Sequence, residues 1–239
     1  MSVLKDSLSE KLSALSTSEF DYIETNSVSQ ASQIGFDCSG IFMESTIIYF
    51  EIKNLEFITK ESGRRKAAMI YTMFQELLSG FAKDNGGFVN CFSSNAFLVI
   101  FPGGEDNLNQ VVTTSFKIAF AINNTFKDEF SKFVGLEFGL GIDHGHILGT
   151  KTLSDNDLEI ITWFGSCINK AQLIAHQSIR PFYVSISSLI FHNLDESLKT
   201  EKRHILGIPK TVELWTKNSY NFENTKKHFY QSNYKIPFE

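Results

Sequence analysis

Residues 86–101, GGFVNCFSSNAFLVIF, leave this chain few folds to adopt. Gly86-Gly87 ends a helix, Phe88 to Phe92 alternates, Ser93-Ser94-Asn95 turns the chain, and Phe97 to Phe101 is apolar throughout. The segment therefore predicts strand, tight hairpin, strand. A helical pattern precedes it: Ile70, Met73, Phe74, Leu77, Leu78 and Phe81 share one face of a helix over about 63–83. Before that, TIIYFEI (46–52) is rich in β-branched and aromatic residues and reads as a strand.

After the hairpin, Pro102-Gly103-Gly104 breaks the chain, and a second long helix is predicted over about 107–130. Residues 135–150 alternate and turn, about 158–163 is a strand, Cys167 to His176 a helix and Phe182 to Ile186 a strand. ILGIPKTVELW (205–215) reads as a closing hairpin around Gly207 and Pro209. The order mixes strands and helices without simple alternation, so the expected class is α+β with one mostly antiparallel sheet. Leu4, Leu8, Leu12 and Leu15 lie on one helical stripe, so residues 1–24 are expected to form an amphipathic helix, packed on its own domain or pairing in a dimer. Residues 25–44 are expected to be a linker, 45–217 the folded domain, and 218–239 a docked, helical tail or a partner-binding one.

Composition narrows the function. A formal net charge of -5 argues against nonspecific binding to nucleic acid or an anionic membrane. No run approaches the ~18 apolar residues of a membrane helix, and the polar N-terminal residues do not form a signal peptide. Cys38, Cys91 and Cys167 are too scattered for a disulfide framework or a metal-site spacing, which suits a reducing, cytoplasmic setting.

Four segments, taken in order, resemble the class III nucleotidyl cyclases, the adenylate and guanylate cyclase homology domain. They are IIYFEIKNLEF (47–57), GGFVNCFSSNAFLVIFPG (86–103), FGLGIDHGHILG (138–149) and ITWFGSCINKAQLI (161–174), followed by the closing ILGIPKTVELW. The resemblance implies a ferredoxin-like domain, likeness to a homodimer that shares its site, and attack of a ribose 3′-hydroxyl on an α-phosphate with pyrophosphate leaving. Two divalent metals, Mg²⁺ or Mn²⁺, would be held by two aspartates.

Residue by residue, the resemblance matches the first metal aspartate to Glu51 and the second to Asn95. The base-reading lysine matches Cys91, and the second base-reading position is Thr162. The ribose-orienting asparagine is Asn169. The arginine that stabilises developing phosphate charge matches Leu173, with Lys170 the nearest substitute. Asn54 and Leu55 stand where a glycine and a phenylalanine usually follow the first strand. The changes at Cys91, Asn95 and Leu173 imply a degenerate cyclase with weak or no catalysis, acting as a nucleotide-binding, dimerisation or regulatory module. The alternative is a divergent active cyclase making a cyclic nucleotide, a pyrimidine one included, as in bacterial antiphage signalling. A heteromeric half-site completed by a second cyclase-like chain is a third reading.

Three further features carry two readings each. Asp143, His144 and His146, with Glu51, are metal ligands or simply turn and strand-end residues. Cys167, near a helix start, is an activated thiol or a small buried residue. Arg64 and Arg65 form a phosphate-binding patch or a solvated helix start.

Overall fold

A computed structural model describes residues 2–26, 38–133, 135–153, 159–178, 180–205, 208–222 and 225–237. The chain divides into two compact units, residues 45–145 with 166–239, and residues 1–44 with 146–165.

The larger unit is built on a sheet. Strand β2 (Ser39–Ile52) pairs antiparallel with β4 (Ala96–Pro102), and β4 pairs antiparallel with β3 (Phe88–Ser93). On the other side of β2 lies β5 (Phe138–Leu153), then β7 (Val184–Ser187), parallel to β5, then β11 (Thr225–Ser232) and β10 (Thr216–Phe222). Helices α2 (Leu55–Ser62), α3 (Arg64–Asp84), α4 (Leu108–Phe120), α5 (Lys127–Phe130), α6 (Ser166–His176), α7 (Ser188–Asn193) and α8 (Glu196–Lys199) flank it. Strands β8 (Thr200–Ile205) and β9 (Ile208–Glu213) form a separate antiparallel pair, the hairpin expected over 205–215 with an earlier start. This is the α+β architecture that the pattern predicts.

The many phenylalanines build the core. Phe50 packs on Phe74 at 4.7 Å and on Phe138 at 5.6 Å, and Phe74 stacks on Phe130 at 4.8 Å. Such offset and tilted aromatic pairs add to simple area burial. Helix α3 presents Ile70, Phe74 and Leu78 to this cluster and ends where Gly86 takes φ 75, a left-handed conformation that glycine adopts without strain.

Helix α6 lies directly on β5. A Cβ added at Gly141 would meet the Ala171 carbonyl oxygen at 1.9 Å, so only glycine permits this approach. The helix predicted over 107–130 is one turn wider in its middle: α4 passes into a π-helical turn, Ala121–Thr125, before α5.

Two expectations need correction. The tail expected to be helical over 218–239 is not so in its described residues: β10 and β11 form a hairpin that adds to the sheet through β7. Phe229, Tyr230, Gln231 and Ser232 are buried in succession on β11, as in a strand covered on both faces, a pattern that a 3.6-residue period does not give. Residues 25–44 are not all linker either, because β2 begins at Ser39; residues 27–37 lie outside the described ones.

In the smaller unit, β1 (Asp21–Glu24) runs parallel to residues 39–42, and β6 (Glu159–Phe164) pairs antiparallel with residues 148–153. Helix α1 (Ser2–Thr17) carries Leu4, Leu8, Leu12 and Leu15, all exposed.

Candidate functional site

The end of β2 and the β3–β4 turn meet in register. Glu51 lies opposite Ala96, and the Ile52 amide donates to the Asn95 carbonyl at 2.7 Å. Backbone pairing thus sets Asn95 beside Ala96, the register partner of Glu51, while Glu51 turns to α6 and Asn95 lines the α3 side with Ile52. Asn95 Oδ1 accepts from the Ser93 hydroxyl at 2.9 Å. Glu51 is 13% exposed; its Oε1 lies 3.3 Å from His176 Nδ1, and its Oε2 is buried without a hydrogen-bond partner among the described residues.

His176 was not predicted as part of this group. The signal was present, because Asn169, Leu173 and His176 follow at i, i+4 and i+7 and share one stripe of α6. Asn169 is exposed and Leu173 half-buried on that stripe.

The loop after β2 is pinned in place. Lys53 Nζ donates to the carbonyl oxygens of His176, at 2.9 Å, and Ser178 at the end of α6. Burial holds its ammonium below the usual lysine range, with Glu51 and Glu137 acting the other way. A cation there also suits the negative end of the α6 dipole. Asn54 accepts from the Glu137 amide at 3.0 Å through Oδ1 and donates to the Gly135 carbonyl through Nδ2. Asn54 thus ties the turn to the segment before β5.

Beside these residues opens a groove of about 700 Å³. Lys53, Arg64, Tyr71, Ser94 and Asn95 line it. Arg64 opens α3 and faces this groove, whereas Arg65 does not line it. Cys91 is exposed on β3, and its thiol lies beside the Tyr71 hydroxyl, which burial foremost pushes up. Burial, reinforced by Glu51, also pushes Tyr49 up to about 12, while Gln172 on α6 hydrogen bonds to it.

Three other sequence candidates behave differently. Lys170 Nζ sits 3.7 Å from Asp143 Oδ2, so its charge is directed at a buried carboxylate. Thr162 faces Thr150 across the β5–β6 pair in the smaller unit. Cys167 is buried, and that burial, with Asp143 nearby, pushes its thiol up to about 12, opposite to the lowering that a helix start suggests.

The histidines find structural partners. His144 Nδ1 is 3.0 Å from the Thr46 hydroxyl, and His146 stacks on Phe42 at 5.0 Å. Among the described residues, no three His, Cys, Asp or Glu side chains cluster as metal ligands.

No protein-family model matches the sequence. The solved structures it resembles do so closely in fold. The guanylyl cyclase Cya2 superposes with a TM-score of 0.65 at 13% identity, covering 82% of this chain and 95% of that one.

The fold is that of a class III nucleotidyl cyclase domain.

The adenylyl cyclase CyaB from P. aeruginosa gives the same cyclase fold at a TM-score of 0.61 and 14% identity, over 80% of this chain and 94% of that one. The guanylate cyclase domain of RhGC from Catenaria anguillulae, solved in complex with GTP, gives 0.59 at 14% identity over 82% and 99%. In sequence, a uridylate cyclase from Rhodovulum sp. (strain MB263) is 19% identical over 239 residues, 97% of this chain and 96% of that protein. Among the described residues, no helix is long and apolar enough to cross a membrane.

Proposed function

We propose that this cyclase-fold chain binds a nucleoside triphosphate as a dimer and cyclises it weakly or not at all, serving as a regulatory module in nucleotide signalling. The observation that carries this reading is the meeting of the end of β2, which bears Glu51, with the β3–β4 turn, which bears Asn95. At the two positions where the family holds aspartates, only one carboxylate remains, and His176 already contacts it. An amide brings no charge, so the pair holds one negative charge rather than two.

The residues fit one cation better than two. The buried, unpartnered Oε2 of Glu51 offers a lone pair that a cation would satisfy. A divalent cation, Mg²⁺ or Mn²⁺, supplies charge neutralisation on a triphosphate when bound. Arg64 offers the groove a cation for the phosphates, and Asn169, exposed on α6, offers hydrogen bonds to a ribose. Leu173 has neither charge nor donor to meet the charge that grows on the α-phosphate, and Lys170 is directed at Asp143. Removing one such stabiliser costs about 10²–10³ in rate.

The test is equilibrium binding of each nucleoside triphosphate with Mg²⁺ and with Mn²⁺ to the full chain. Binding is expected, weakened about tenfold by Arg64→Ala, one charge-assisted contact. The absence of binding by a folded protein would overturn the reading.

A second reading is favoured by the sequence match: an active cyclase of a pyrimidine nucleotide. The similarity to a uridylate cyclase runs nearly end to end in both chains. It predicts a cyclic monophosphate product made from UTP.

A further inference from the structure

Asp143 stands at the base of a second cavity, of about 280 Å³, that the nucleotide reading does not use. Its side chain is only 1% exposed, yet Oδ2 has no hydrogen-bond partner among the described residues. Ser187 and the His144 amide hydrogen bond to the carboxylate, and Asp143 lines the cavity together with Ser187. Lys170 Nζ, at 3.7 Å from Oδ2, is too distant for a hydrogen bond. A buried carboxylate oxygen without a donor is costly, and proteins retain such groups where a ligand supplies what is missing.

The opposite wall comes from the C-terminal hairpin. Tyr220 and Lys227 are register partners on β10 and β11, so both side chains share one face. Both line the cavity, and Tyr220 feels the charge of Asp143. Lys227 is exposed at the rim, whereas Asp143 is buried. The cavity is therefore bipolar, with an acceptor at its base and a cation at its mouth.

This polarity selects a ligand. Two ammonium groups, Lys170 and Lys227, against one carboxylate leave a net positive charge, which one anionic group balances. The donor that meets Oδ2 is a hydroxyl rather than an ammonium, because Lys170 already places a cation beside the same oxygen. A volume of about 280 Å³ lies at the small end of ligand sites. We propose that this cavity binds a small hydroxycarboxylate, its carboxylate at Lys227 and its hydroxyl donating to Asp143 Oδ2.

Calorimetric titration of the full chain with glycerate, and with propionate as the anion lacking hydroxyls, tests the site. Glycerate is expected to bind at least about tenfold more tightly, since a site built around a ligand hydroxyl rejects the analogue without it. Asp143→Asn should remove that preference. Its amide oxygen accepts from Ser187 and His144, and its NH₂ turns to the cavity as a donor where an acceptor is needed. Lys227→Ala should weaken both anions alike. Sn-glycerol 3-phosphate separates a carboxylate site from a phosphate site, and preferential binding of it would overturn the ligand class.

Thermal unfolding keeps a structural role apart from a binding role. Without ligand, Asp143→Asn should unfold about 2–4 °C higher than wild type, because a buried charge has been removed. Equal binding of glycerate and propionate, binding of neither, or a lower unfolding temperature for Asp143→Asn would each contradict the proposal.

Discussion

His176 Nδ1 lies 3.3 Å from Glu51 Oε1 and joins the end of α6 to the end of β2. The contact is exposed on the histidine side, so it contributes little to stability. His176→Ala should change unfolding free energy by less than about 1 kcal/mol in denaturant titration. Its effect should appear instead in Mn²⁺ affinity, read by electron paramagnetic resonance, where release of Oε1 strengthens binding. Glu51→Ala should abolish that binding, and equal Mn²⁺ affinity in both variants would remove Glu51 from the site.

Restoring the missing groups should restore chemistry. Asn95→Asp places a carboxylate on the β3–β4 turn next to the end of β2, and Leu173→Arg places a charged fork on the α6 stripe. The double variant should exceed the wild-type cyclisation rate by about 10²–10³ with Mg²⁺. An unchanged rate would place the site elsewhere.

The contact between α6 and β5 should tolerate no side chain. Gly141→Ala drives a methyl group into the Ala171 carbonyl, and Gly141 itself packs against the main chain of α6. A loss of about 1–3 kcal/mol is expected in denaturant unfolding, the usual cost of overpacking.

Asp143 sets a pH dependence. Burial, its largest influence, holds the carboxyl above the usual carboxylate range, with Ser187 and Lys170 opposing. A folded state that binds the proton more tightly than the unfolded chain is favoured most below the unfolded value, near 4. That contribution fades as pH rises through the folded value. Wild type should therefore lose stability over this window relative to Asp143→Asn, and parallel stability profiles would contradict the burial of the charge.

Cysteine reactivity should follow burial. Cys91 is exposed, whereas burial pushes the Cys167 thiol up to about 12. At pH 8, alkylation followed by mass spectrometry should modify Cys91 first and leave Cys167 unreacted in the folded protein.

The sequence was most legible where periodicity was strong. The hairpin at 86–101, helix α3 and helix α6 follow directly from alternation and helical stripes, and together they carry Asn95, Cys91 and Asn169. The C-terminal hairpin was hidden because its strand character depends on pairing with β7, a contact about forty residues distant in sequence. For the same reason, nothing in the local sequence joined Tyr220 and Lys227 to Asp143. Lys170 looked like a stand-in for an arginine by position alone; only side-chain direction reveals that it faces Asp143.

The most direct measurement is a product assay on this chain. ATP, GTP, CTP and UTP, each with Mg²⁺ and with Mn²⁺, would be followed by mass spectrometry for cyclic monophosphates. Cyclic product no greater than that of Glu51→Ala is the predicted result. Sustained turnover of any one triphosphate, abolished by Glu51→Ala, would contradict weak or absent catalysis, and UTP as that substrate would establish the pyrimidine cyclase reading in its place.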